Sequence, residues 1–414
     1  MSKTFCVFPF FNLNSNTDGS VKLCCNIRTN THVKDHKGKE FNLGKDCIDA
    51  IWYSSYMNDV RRNMMDGIEI SECRDCYRQE ELTGQSSRTS SNKFWLKKDH
   101  VQENINRFKD HKKINPLSSL ELRLGNTCNL SCNSCWGYSS SKVNEERIQI
   151  MSKNELDTRF KNDWSSEYKI PSEINKWFKT PQYEENINSV SNTLNRLYIT
   201  GGEPTLIKEN RTLLRKLLAN DNKDCFVSFT TNGTQADGEL LDLLKEFPNN
   251  EIQISIDGVG DQAHYVRYPT VWEEFKNNVD KLCSIPNVNI VFYTVISAYN
   301  LFSIQDILKY VDSIAQHRKV GWYPIFLDNP DYLHTYVWPK QRREIANIKL
   351  KTTVTRLEHL TKYVSNDVFD MLHQYITSDT NQRYSLDYFK KFNATLDSKR
   401  GTDFNKTFPE LCLD

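Results

Sequence analysis

Three cysteines, Cys128, Cys132 and Cys135, are separated by three and then two residues in the stretch Leu124-Gly125-Asn126-Thr127-Cys128-Asn129-Leu130-Ser131-Cys132-Asn133-Ser134-Cys135. Three thiolates on one loop can hold three irons of a [4Fe–4S] cluster, and the fourth iron then stays open to a small molecule. Structural zinc, the plainer use of clustered cysteines, needs four ligands, and no fourth Cys or His follows within reach. Of the twelve cysteines, six more crowd the first 80 residues: Cys6, Cys24, Cys25, Cys47, Cys73 and Cys76. In a reducing compartment such clustering points to metal or redox chemistry rather than to disulfides. Cys225, Cys283 and Cys412 stand alone and, with Cys47, read as buried free thiols.

A second motif, Gly201-Gly202-Glu203-Pro204, directly follows an apolar run. Two glycines let a backbone approach a ligand closely, and Pro204 suits the first turn of a helix. Further on come Thr231-Asn232-Gly233, Ser255-Ile256-Asp257-Gly258 and Tyr265-Val266-Arg267-Tyr268, the first two at strand ends. Taken in this order after the cysteine triad, these motifs resemble the radical S-adenosylmethionine (radical SAM) enzymes. The resemblance implies that Cys128, Cys132 and Cys135 hold a SAM-binding [4Fe–4S] cluster. It further implies that the glycine-rich stretch meets the methionine amino group of SAM. Ser255 and Asp257 correspond to ribose-contacting positions, Arg267 to an arginine contacting the SAM carboxylate, and Asn232 to a family tripeptide. Where relatives carry an aromatic residue before the last cysteine this chain has Ser134, so Trp136 is expected to cover the cluster or the adenine. Asn300 reads as a helix N-cap. The implied activity is reductive cleavage of SAM to methionine and a 5′-deoxyadenosyl radical, which abstracts hydrogen from a substrate.

Cys6, Gly19 and Cys24, followed by Cys73-Arg74-Asp75-Cys76, resemble the SPASM/twitch auxiliary-cluster module. The resemblance implies a second [4Fe–4S] cluster on Cys6, Cys24, Cys73 and Cys76, with Cys25 able to replace Cys24. The module usually follows the radical SAM core and here precedes it. Structural zinc accepts the same four ligands and remains the alternative for this site.

The elements that must position these residues are short apolar runs alternating with amphipathic stretches. Strands are expected at 119–124, 194–200, 225–230, 251–256, 289–296 and 320–327, with helices over 205–219, 272–283 and 300–314. Several of the runs are continuous enough to suggest parallel strands buried on both faces. Six β-α units imply an α/β fold, a partial (β/α)6 barrel of the radical SAM type. A helical insertion should fill 140–190, because a bare loop of that length is improbable. The expected domains are 1–92, a twitch-like auxiliary domain short of long helices; 93–118, a linker; 119–330, the radical SAM core; and 331–414, a helical extension. Asp18-Gly19 marks a hairpin turn.

The 414 residues carry 54 Lys+Arg against 53 Asp+Glu, so no global field draws in nucleic acid or anionic membrane. The basic clusters at 34–39 and 109–113 are interleaved with Asp and His and read as solvated surface. No run approaches the ~20 apolar residues that span a bilayer, and the start lacks a cleavage signal, so a cytoplasmic chain is expected. The implied partners are a peptide or small-molecule substrate and an electron donor such as flavodoxin or ferredoxin. Two other functions fit parts of the pattern: radical modification of a nucleoside or sugar, and a non-catalytic zinc-binding scaffold. His264 and His334 lack partners at helical spacing and read as surface or satisfied core residues.

Overall fold

The computed structural model describes residues 2–27, 31–152, 157–167, 170–236, 238–327, 329–378 and 384–411. Ten strands are present among them: β1 (Asn12–Ser15), β2 (Val21–Lys22), β3 (Ser119–Arg123), β4 (Ser131–Cys132), β5 (Arg196–Thr200), β6 (Phe226–Thr231), β7 (Asn250–Ser255), β8 (Arg267–Tyr268), β9 (Val288–Ile296) and β10 (Val320–Phe326). The fold is α/β with mostly parallel strands, and its sheet is open: β2 and β10 each bond a single neighbour. This is the partial-barrel class expected from the alternating pattern. Two compact units share the chain, residues 1–127, 170–229 and 242–250 in the first, and 128–169, 230–241 and 251–414 in the second.

In the first unit the strand order is β2-β1-β3-β5-β6. β1 and β2 form the antiparallel hairpin expected at Asp18-Gly19, with Gly19 at φ 85°. β1 then pairs in parallel with β3, Asn12 opposite Ser119 and Asn14 opposite Glu121, so the amino-terminal segment supplies a strand to the sheet itself. Side chains alternate across this sheet with period two. One face carries Leu13, Leu120, Leu122, Leu197, Ile199, Val227 and Phe229, all buried. The other carries Asn12, Asn14, Ser119, Glu121, Arg196 and Tyr198. These strands are thus not apolar on both faces as their composition suggested; one face packs a hydrophobic core and the other is polar. Lys22, opposite Asn14, joins that polar face, where burial and the neighbouring Arg123 pull its pKa down to about 8.

The amino-terminal region is also richer in helix than expected, with Ser55–Asp66, Arg74–Thr83 and Ser87–Trp95. Ser54 caps the first by accepting from the Met57 N–H, and Gly67 ends it in the left-handed region. Its buried stripe is Met57, Val60, Arg61 and Met64, and the arginine at a core position hid the helix from a hydrophobicity reading. Arg61 is satisfied there by the carbonyls of Pro9 (2.8 Å) and Trp52 (3.0 Å).

The second unit holds β7, β9 and β10, with β9 and β10 parallel over seven residue pairs. Trp272–Cys283 and Ile304–Ala315 supply the helical layer, burying Phe275, Val279 and Leu282 from one and Ile304, Ile307, Leu308 and Val311 from the other. Helices fill the expected insertion at Ser141–Met151, Thr158–Glu167 and Pro181–Val190, the last within the first unit. Lys340–Val354, Asn366–Thr377 and Leu386–Arg400 make the carboxyl-terminal extension helical. Among the described residues no helix is long and apolar enough to cross a membrane.

Candidate active site

The triad loop lies in the second unit and is held from both sides. β4, which contains Cys132, pairs antiparallel with β8, placing Cys132 opposite Arg267. The Asn133 N–H donates to the Val266 carbonyl at 2.8 Å, and the Cys135 N–H to that of Cys132 at 3.1 Å. Arg147 donates to the Cys135 carbonyl (2.7 Å) and Ser141 accepts from the Cys128 N–H (3.2 Å). Asn129, between the first two cysteines, donates to Thr234 (2.8 Å) and accepts from Asn232 (2.9 Å), which ties the loop to the end of β6. Burial pushes the Cys132 thiol up to about 11 and the Cys135 thiol to about 12, with Cys128 raising both and Arg267 opposing the shift at Cys132. Among the described residues no three Cys, His, Asp or Glu side chains are arranged to hold a single metal ion, so the thiols would have to meet different irons of a cluster, which would draw them down as thiolates on assembly.

Asp257 and Arg267 pair at 2.7 Å. Burial alone would lower the Arg267 pKa, but Cys132 and Asp257 outweigh it and hold it raised. Its Nε is nevertheless a buried donor with no hydrogen-bond partner. Asp257 Oδ1 also accepts from the Val295 N–H at 2.7 Å. Ser255, Asp257 and Arg267 line a cavity of about 190 Å³, closed on one side by Trp272 and Phe275. Asn300 is not a helix cap: it accepts from the Ser297 N–H and donates to the carbonyls of Asp257 and Val295, while the helix behind it begins at Ile304. It is a buried latch that fixes the strand-end loop carrying Asp257. Trp136 sits 5.5 Å from the Tyr138 ring, and its carbonyl accepts from the N–H groups of Ser139 and Ser140.

The glycine motif belongs to the first unit. Gly201 has φ 140°, and a Cβ on Gly202 would lie 2.1 Å from the Thr127 carbonyl oxygen. The close approach that requires these glycines is therefore to the Asn126-Thr127 backbone, whose Thr127 carbonyl also accepts from the Glu203 N–H at 2.8 Å. Glu203 is fully buried and caps the turn at Thr205, and Pro204 opens that turn.

The amino-terminal thiols converge within the first unit. Cys6, Cys24, Cys73 and Cys76 line one cavity of about 340 Å³ together with Glu72 and Arg88. Burial drives Cys6 up to about 12, with Cys76 raising it further, and Cys24 well above its ordinary value, with Cys25, Cys6, Cys73 and Cys76 as further causes. Cys25 is not in that lining; the groups acting on its thiol after burial are Glu121, Arg123, Arg196 and Lys22 of the polar sheet face. The geometry thus separates the two adjacent cysteines. Of the lone ones, Cys225 is buried, whereas Cys47 is exposed rather than a core thiol, because it precedes the helix Ile48–Trp52 on its outer side. Cys412 lies outside the described residues. His264 and His334 are satisfied, the first by the Thr270 carbonyl (3.1 Å) and the second by the Tyr375 hydroxyl (3.0 Å).

Sequence reasoning missed Arg400 in the carboxyl-terminal extension. Its guanidinium donates to the Ser131 carbonyl (2.6 Å) and Asn133 Oδ1 (2.6 Å) and forks onto Glu146. No local signal marks an arginine 265 residues from the end of the triad loop (Cys135 to Arg400).

Residues 122–311 match the family model of the Radical SAM superfamily. Among solved structures it is similar to native anSMEcpe with bound AdoMet, at 18% identity over 52% of this chain and 53% of that one, with a TM-score of 0.35. It is similar to Streptococcus suis SuiB bound to precursor peptide SuiA at 11% identity, over 70% and 60% of the two chains, with a TM-score of 0.40. For TYW1 with a lysine-pyruvate adduct bound, the values are 14%, 67%, 80% and 0.33. The chain spans between about half and just under two thirds of the anSMEcpe and SuiB chains. No curated protein sequence matches it.

Proposed function

We propose that this chain is a radical SAM enzyme acting on a peptide or small-molecule substrate, with a cluster on Cys128, Cys132 and Cys135 and an auxiliary cluster on Cys6, Cys24, Cys73 and Cys76. The observation that carries the reading is the buried Arg267 Nε, without a hydrogen-bond partner among the described residues, opposite Cys132 of the triad loop. A donor of that kind is costly to bury unless an acceptor arrives, and a carboxylate is the natural one. A cluster at the triad would supply the electron that splits bound SAM to methionine and a 5′-deoxyadenosyl radical. Arg267 would orient the SAM carboxylate, and Asp257 and Ser255 the ribose. Asp257 holds Arg267 in place before SAM arrives. Four thiols around one cavity leave no ligand position for substrate, so the amino-terminal site would exchange electrons. A reduced flavodoxin or ferredoxin is the expected donor and the cytoplasm the expected compartment.

Anaerobic reconstitution followed by iron, sulfide and zinc analysis tests this, together with chromatography of 5′-deoxyadenosine after dithionite and SAM are added. About eight irons and SAM cleavage are expected, both reduced in Cys132→Ala, which should keep about four irons. Zinc without iron, or 5′-deoxyadenosine formation that survives Cys132→Ala, would overturn the reading.

A further inference from the structure

The polar face of the first unit's sheet has more positive charge than it can use. The pairing register sets Lys22, Asn14, Glu121 and Tyr198 side by side in one row, with Ser119 and Arg196 in the row before and Arg123 in the row after. Lys22 and Glu121 are each 1% exposed, and Asn12 and Asn14 are wholly buried. The Glu121 carboxylate is already engaged, by Arg196 on one oxygen (2.9 Å) and by Asn14 on the other (2.9 Å). Lys22 has only the Ile27 carbonyl (2.6 Å), and Arg123 makes no ion pair among the described residues. Its Nε is a buried donor without a partner, as is Asn12 Nδ2 at the far end of the face. Buried cations are ordinarily paired. Here the buried Lys22 and the half-buried Arg123 and Arg196 line a face on which Glu121, already bonded to Arg196, is the carboxylate in the register.

We infer that the substrate carries a carboxylate and that this face binds it between Lys22 and Arg123. The orphan donors on Arg123 and the one-acceptor lysine supply the charge-assisted hydrogen bonds such a group needs. The unpartnered Asn14 Oδ1 beside them suits an N–H of the same molecule, so an amino acid or an acidic residue of a peptide is the fitting class. A phosphate is disfavoured, since a dianion would sit one row from the Glu121 carboxylate. The inference rests on the radical SAM reading for what becomes of the bound molecule, but not for the binding itself.

The test is calorimetric titration of the reconstituted full chain with N-acetylglutamate α-amide, which carries one carboxylate, its neutral isostere N-acetylglutamine α-amide, and inorganic phosphate. The glutamate α-amide should bind at least tenfold more tightly than the glutamine α-amide, and Arg123→Gln should bring the two within about twofold while Arg123→Lys restores most of the difference. Iron content and visible absorption of each variant show that it has folded with its clusters. Equal or absent binding of the two acyl amino acids to the native chain would overturn the inference, as would tighter binding of phosphate. So would an Arg123→Gln variant that shifts the auxiliary cluster's reduction potential but keeps the tenfold preference, because the cations would then be serving the cluster. Loss of 5′-deoxyadenosine formation with the binding preference intact would instead count against the enzymatic proposal and leave this one standing.

Discussion

Arg400→Ala removes a cation whose side chain is 3% exposed and whose carboxylate partner, Glu146, is 10% exposed. Four hydrogen bonds go with it, two to Glu146 and two to the triad loop at Ser131 and Asn133, along with the stacking of the guanidinium over Tyr268 at 4.8 Å. Deleting one member of a buried pair costs about 3–5 kcal/mol, chiefly through the charge left behind. Glu146 can escape that cost by taking a proton, which at pH 7 requires about 3.7 kcal/mol for a carboxyl of ordinary pKa. The two estimates bound the effect at about 3–4 kcal/mol. It should fall on the loop, because that is where the lost donors point. At about 1.4 kcal/mol per tenfold, amide hydrogen exchange across 131–135 in the metal-free chain should accelerate by about two to three orders of magnitude. Arg400→Lys keeps the charge but not the fork and should cost about tenfold. Glu146→Gln on top of Arg400→Ala should return part of the loss by removing the stranded charge. Mass-spectrometric exchange on a peptide spanning the loop reads all three variants. Unchanged protection of the Asn133 and Cys135 amides in Arg400→Ala would refute the reasoning, since both lie in the segment that Arg400 clamps, the first bonded to Val266 and the second to Cys132.

Gly202→Ala should destabilise the chain by more than about 3 kcal/mol or displace the loop before Cys128, since the added Cβ meets a backbone oxygen at 2.1 Å and neither strand end can yield cheaply; urea denaturation of native and variant protein gives the difference. Cys24→Ser should lose about four irons and Cys25→Ser none, a comparison that metal analysis settles and that equal losses would contradict. Asp257→Asn removes the carboxylate that holds the Arg267 guanidinium and should weaken SAM binding by about tenfold or more in a calorimetric titration, with iron content unaffected.

Much of the core was legible because its signals are local. The Trp272–Cys283 helix declares itself through Phe275, Val279 and Leu282, and β9 through the β-branched and aromatic run from Ile290 to Ile296. What composition could not convey was sidedness. Arg196-Leu-Tyr-Ile-Thr200 and Asn250-Glu-Ile-Gln-Ile-Ser255 alternate strictly, and that period-two pattern indicates one packed and one polar face. Reading the runs as uniformly apolar discarded it. Within the site each motif was visible by itself, whereas the Asp257–Arg267 pair, the Asn129–Asn232 bridge and the Arg400 clamp are products of chain crossings that no spacing encodes.

The least legible element was β1. Asparagine is poor in strands, so Asn12-Leu-Asn-Ser15 offers no propensity for one, and it becomes a strand because β3 presents an edge in register with it. That exception has a consequence for the chemistry. A strand built for stability alone would carry apolar residues at positions 12 and 14, as the neighbouring β3 does with Leu120 and Leu122 on its packed face. Asparagines there give up packing and propensity, and each leaves a buried polar atom unmatched. The same departure recurs at Lys22, Glu121 and Arg196, all on one face and in adjoining positions of the register. Departures from local preference that are scattered are noise. Departures that line up across four strands, against an opposite face that obeys every rule, are where function is expected to have displaced stability.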